Sequence, residues 1–170
     1  IVFTSIHDDS VGGDSNGNGS ATTPIKGSWE AVYFEAGSGA SVLDHVVVRH
    51  LGQTAPNNND GRAAIDVAAS LAPTFRNLVV EDAFLSGIKI DGAATPTLDG
   101  IQIRRVNGFA VTLANSADPA IRNLTGAANG RNAILIDGGT IAADRTWNYG
   151  PLPIWLGSNL RVGAEASLTL

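Results

Sequence analysis

The sequence predicts an all-β parallel solenoid of about six stacked coils, ~23 residues each, interrupted by two inserted loops. Three observations lead there. The hexapeptides APTFRN (72–77), TPTLDG (95–100) and DPAIRN (118–123) share a proline second, a hydrophobic residue fourth and a charged residue fifth. Their prolines, Pro73, Pro96 and Pro119, are 23 residues apart both times. Apolar residues keep the same interval: Ile65, Ile88, Val111 and Ile134; Val67, Ile90, Leu113 and Ile136; Leu78, Ile101, Leu124 and Trp147. Within a repeat they alternate, as in Ile88-x-Ile90 and Ile101-x-Ile103, with Gly, Pro, Asn and Asp between the runs. Period-two alternation in short β-branched runs reads as strand–turn–strand, and no window carries a helical i, i+3, i+4, i+7 stripe. Such a unit cannot bury its apolar side alone. It must stack on copies of itself, like strand over like strand, about 4.8 Å apart.

Taken in order, IVFTS (1–5) reads as a strand, and the insertion 7–28 follows it and returns to the repeat near Trp29. AVYF (31–34) and LDHVVV (43–48) fit the repeat, and a second insertion, QTAPNNNDGR (53–62), stretches the interval to the next coil. Regular coils then run from Ile65 to Trp147. PIWL (153–156) and NLRV (159–162) fit after a shortened coil, so residues 1–170 form a single solenoid domain. The composition agrees: 44% hydrophobic, 16% charged, 20 glycines, no cysteine and no methionine. A net charge of −5 lacks the basicity of a nucleic-acid binder, no disulfide or thiolate metal site is possible, and no apolar run is long enough to span a bilayer. The missing methionine and the terminal strands suggest a processed chain or a segment of a longer one, whose unpaired edges would template further strands.

Stacking at a fixed period places charges in columns. Asp44, Arg76, Asp99, Arg122 and Arg145 form one, Arg49, Glu81 and Arg104 a second, and His50, Asp82 and Arg105 a third. Signs alternate along most of each column, and opposite charges on adjacent strands contribute about 0.2–1 kcal/mol per pair. His7, His45 and His50 are expected at the surface, His50 as a member of a solvated ladder.

VFTSIHDDSVGGDSNGNGSATTPIKGSWEAVYF near the start and LGSNLRVGAEASLTL at the end, set on this repeat, resemble the right-handed parallel β-helix superfamily, the pectin-lyase-like fold. More narrowly, they resemble the β-helix repeat segments of large secreted bacterial surface proteins. The resemblance covers nearly the whole chain. It implies a right-handed solenoid at the exterior of a bacterial cell, serving as a rod, stalk, adhesive module or fibre subunit. Its partners would be copies of itself, further coils of the same chain, or surface polysaccharide.

Two candidate sites compete with a purely structural role. In the first insertion, Asp14, Asn16 and Asn18 followed by Gly19 match the first half of the D-x-[DN]-x-[DN]-G calcium loop, with Asp8 or Asp9 as further oxygen donors. Position 12 of that loop would be Ile25, so the bidentate glutamate is missing, and Asn-Gly turns explain the same residues without a cation. The second site follows from the superfamily, which includes polysaccharide lyases and glycoside hydrolases. Asp91 and Asp137 fall in one column with Glu35, Ala68 and Ala114, two coils or about 9.6 Å apart, near the upper limit for an inverting carboxylate pair. Tyr33 and Trp155 would stack on sugar rings. Yet both aspartates sit in IDG turns, and Lys89 is placed to pair with Asp91. The sequence therefore favours a non-catalytic structural or adhesive module, with a polysaccharide-acting enzyme or carbohydrate-binding module as the alternative.

Overall fold

Turn residues cut each coil's apolar alternation into three short strands, and each strand pairs in parallel with its equivalent in the next coil. The computed structural model describes residues 1–52 and 63–170, so the second insertion, 53–62, lies outside the described residues. A first face of six strands runs the length of the stack: Val32–Phe34, Ile65–Val67, Ile88–Ile90, Phe109–Leu113, Arg131–Ile136 and Ile154–Leu156. The second face holds Val42–Asp44, Thr74–Arg76, Thr97–Asp99 and Ala120–Arg122. The third holds Val2–Phe3, Val47–Arg49, Val79–Glu81, Gln102–Arg104 and Thr125–Ala127. This is a parallel β-solenoid of about five turns, without a helix among the described residues.

The expected register holds. Ile65, Ile88, Val111 and Ile134 are successive Cα partners, as are Val67, Ile90, Leu113 and Ile136. Their inward side chains, with Phe75, Leu78, Leu98, Ile101 and Leu124, are almost wholly buried and fill one continuous core. Each such side chain contributes roughly 1.5–3 kcal/mol on burial. The prolines pile up as well. Thr97 N–H donates to the Pro73 carbonyl at 3.0 Å and Ala120 N–H to that of Pro96 at 2.9 Å. Each proline stands just ahead of a second-face strand, where a missing N–H costs no ladder bond.

Two corners are built from residues in the left-handed region. Between the second and third faces stand His45, Asn77, Gly100 and Asn123, with φ of 55°, 48°, 70° and 52°. Between the third and first stand His50, Asp82, Arg105 and Ala128, with φ of 64°, 52°, 57° and 54°. A non-glycine residue there costs about 1–2 kcal/mol, and the stack supplies the compensation. The Asn77 N–H donates to the Asp99 carbonyl, Gly100 to Arg122, Asp82 to Arg104 and Arg105 to Ala127, all at 3.0–3.2 Å.

The charge columns keep their register but differ in their contacts. Arg76 is the Cα partner of both Asp44 and Asp99, and Arg122 of Asp99. The carboxylates nonetheless turn to the corner: Asp44 accepts from Asn77 Nδ2 and Asp99 from Asn123 Nδ2, each at 2.9 Å. A short amide one coil away, fixed by its φ, reaches the carboxylate more directly than a long exposed arginine. Arg145 leaves its column. Arg145–Thr146 pairs with Leu168–Thr169, and Gly139–Ile141 with Leu160–Val162, outside the second and third faces. Its guanidinium instead meets Asp118 at 2.8 Å and the Ser116 carbonyl at 3.0 Å. Asp99→Arg removes the acceptor for Asn123 and aligns three arginines, so a loss of about 1–2 kcal/mol is expected in urea denaturation. An unchanged midpoint would contradict the role assigned to Asp99.

Candidate functional site

The outer side of the first face is where strand alternation leaves polar side chains in rows. One row, by register, is Tyr33, Asp66, Lys89, Thr112, Leu135 and Trp155. The next is Glu35, Ala68, Asp91, Ala114 and Asp137, confirmed by the bonds from Asp91 N–H to Val67 and from Asp137 N–H to Leu113, both 2.9 Å. Two shallow clefts of about 190 and 200 Å³ follow these rows. Tyr33, Glu35 and Asp66 border the first, Thr112 and Asp137 the second, and Lys89 and Asp91 border both. The sequence reading named every acid here except Asp66, although the repeat points to it, 23 residues before Lys89. Asp66 also accepts the Ala63 N–H at 3.1 Å.

The two aspartates of the enzyme alternative occupy different surroundings. Asp91 faces the Lys89 ammonium at 3.1 Å, half-buried, whereas Asp137 is exposed two coils away. A general acid needs apolar enclosure or a neighbouring carboxylate. Asp91 is engaged by Lys89, and Asp137 has no ion-pair partner among the described residues.

A second concentration of charge lies on the third face. Asp8 is 6% exposed and Glu81 5% exposed. Arg49 Nη2 meets Asp8 at 2.6 Å, and Arg49 Nη1 lies 3.7 Å from Glu81. On the next coil Arg104 Nε meets Glu81 at 2.6 Å, while Arg105 reaches Glu81 at 2.8 Å and Asp82 at 2.7 Å. The second charge column thus forms real ion pairs, and Asp8 extends it by one member. Burial pushes the Asp8 carboxyl up, but hydrogen bonds from Ser10 and Thr4 and the Arg49 charge outweigh it and hold it at about 2. Burial likewise opposes ionisation of Glu81, and Arg104 and Arg105 prevail, leaving it below the usual range. The Arg105 hydrogen bond lowers Asp82. His50 corrects the expectation of a solvated position: its side chain is only 14% exposed, with Nε2 3.7 Å from Asp8. Burial lowers its pKa despite Asp8 and Asp82 nearby.

The proposed calcium residues are divided by this arrangement. Asp8 belongs to Arg49, and Asp9 stands beside it with one carboxylate oxygen buried and without a hydrogen bond. Asp14 accepts the Asn18 N–H at 3.0 Å and the Gly19 N–H at 2.8 Å. Asn16 Oδ1 also accepts the Asn18 N–H, and the Asn18 amide donates to Thr22. Among the described residues, no three or more His, Cys, Asp or Glu converge as a metal site. The insertion is nevertheless firmly tied down. Trp29 Nε1 donates to the Arg49 carbonyl at 2.9 Å and Lys26 Nζ to Asn107 Oδ1 at 2.8 Å, bridging coils.

Fold and surface together define a β-solenoid repeat protein whose coils are joined by a dry core and by charge pairs between turns. The chain matches no family model, no curated protein and no solved structure.

Proposed function

We propose that this chain is a non-catalytic structural or adhesive β-solenoid module, placed outside a bacterial cell and built into a rod, stalk or fibre. The observation that carries the reading is the run Asp8–Arg49–Glu81–Arg104/Arg105–Asp82, in which charged groups are spent on joining coils. A second support is the Lys89–Asp91 pair, which occupies the better placed of the two candidate catalytic carboxylates. The location and the finer assignment to a pectin-lyase-like, right-handed β-helix follow the sequence resemblance. Further coils or further copies are the natural partners of such a stack, because each coil contacts only its neighbours. A calcium ion at Asp14, Asn16 and Asn18 would stabilise the insertion further, since each Asp14 oxygen accepts one backbone N–H and keeps a second lone pair for a cation.

Purified protein is expected to appear as rods or filaments by electron microscopy, and to release neither reducing ends nor unsaturated sugars from pooled polysaccharides, with or without added calcium. Turnover that Asp91→Asn or Asp137→Asn abolishes would replace this reading with the enzymatic one.

A further inference from the structure

Arg131 differs from the arginines that join the coils in what it meets. Arg49, Arg104, Arg105 and Arg145 each have a carboxylate partner, and Arg76 and Arg122 flank Asp99 in register. The Arg131 guanidinium has neither carboxylate nor hydrogen-bond acceptor among the described residues. It lies 5.0 Å from the centroid of the Phe109 ring and 5.6 Å from that of Trp155. The two rings meet edge to face, 5.4 Å apart at 70°. This happens in a chain of net charge −5, where an acidic partner would be easy to supply.

The cluster is exposed and carried by strands. Trp155 leaves 51% of its surface in solvent and Arg131 is exposed. All three residues stand on first-face strands. Phe109 and Arg131 are Cα partners, and Trp155 is partnered with Leu135. Exposed indole offers a flat apolar surface. A planar guanidinium held against aromatic rings keeps its N–H fork for a carboxylate or phosphate.

We propose that Phe109, Arg131 and Trp155 form a binding site for a ring-bearing anion: a ligand whose flat apolar ring packs on Trp155 while a carboxylate or phosphate at its edge takes the Arg131 guanidinium. The site goes beyond the scaffold reading and does not depend on it.

Tryptophan fluorescence tests the site with three probes that share a ring and differ in charge: benzoate, phenyl phosphate and neutral benzamide. Saturable quenching by benzoate and phenyl phosphate is expected, with dissociation constants on the order of millimolar for ligands this small. Benzamide should bind about tenfold more weakly, the loss of one charge-assisted contact. Arg131→Gln should weaken both anions about tenfold and leave benzamide unchanged, while Arg131→Lys should restore part of the loss. Trp155→Ala, at an exposed position, should keep the parent's thermal transition and lose the signal. Equal affinity for the charged and neutral probes, unaltered anion binding in Arg131→Gln, or a signal that survives Trp155→Ala would each overturn the proposal.

Discussion

Phe75→Ala is expected to lower the unfolding free energy by about 3–5 kcal/mol. Phe75 is wholly buried at the middle of the second face, where Leu43 and Leu98 are its Cα partners above and below. Its ring lies 5.0 Å from that of Phe34, which comes from the first face. Removing it therefore opens a cavity at an interface between coils and also between faces. In a solenoid each coil rests only on its neighbours, so a void in mid-stack has no distant contact to compensate it. Phe84, 46% exposed, is the matched control, and its alanine variant should stay within about 0.5 kcal/mol of the parent. Urea midpoints for the two variants decide the matter. Equal losses would mean that the aromatic core is not where the stack's stability lies.

Arg49→Leu should cost nearly as much for a different reason. The substitution keeps the bulk of the side chain and leaves Asp8 buried without its cation, while Glu81 retains Arg104 and Arg105. Breaking a buried pair in this way costs about 3–5 kcal/mol. The pH dependence distinguishes this from simple loss of packing. In the parent, the Asp8 carboxyl is held at about 2 when folded against an ordinary value of 3.8, so its contribution is complete above the higher value and is lost as pH falls towards the lower one. Glu81 and Asp82 are lowered too and act in the same direction. His50 is lowered from 6.5, so the folded state disfavours its protonation and stability starts to decline as pH drops below that value. Without Arg49, the Asp8 carboxyl loses part of what offsets its burial and moves back towards 3.8, whereas Arg104 and Arg105 still hold Glu81 down. The deficit of Arg49→Leu should therefore shrink as pH falls below ~4, where Asp8 takes up its proton earlier in the variant than in the parent. A deficit that is constant with pH would assign the effect to packing instead.

Much of the fold was legible because stacking turns a sequence interval into a contact. A residue and its equivalent 23 positions later become neighbours, so the core columns could be written down from the repeat, while the pairing of Asp91 with Lys89 followed from their i, i+2 spacing on one side of a strand. The same rule places Asp66 in the row of Lys89, beside the acidic row of Asp91 and Asp137. It failed at Arg145, since the last coils leave the second and third faces and the interval no longer implies an overlay. In the second and third charge columns it gave partners that do pair, Glu81 with Arg49 and Arg104 and Asp82 with Arg105. In the first it gave the right Cα partners and the wrong contacts, because backbone register does not say which of two reachable groups a carboxylate will choose.

The amino-acid sequence by itself determined the period, the alternation and hence the parallel stack. It also determined one corner, where Asn77, Gly100 and Asn123 are residue types that accept a left-handed backbone. Only the tertiary structure decided the other corner at Arg105 and Ala128, whose residue types do not favour that region, and Asp82 and Arg105 there donate to carbonyls of the next coil. It alone placed Asp8 against Arg49, Lys26 against Asn107, and Arg131 against two aromatic rings. A periodic pattern specifies contacts between equivalent positions. It carries no information about where an insertion folds back or how a long side chain crosses a face, because those depend on the surface that the stacked coils create.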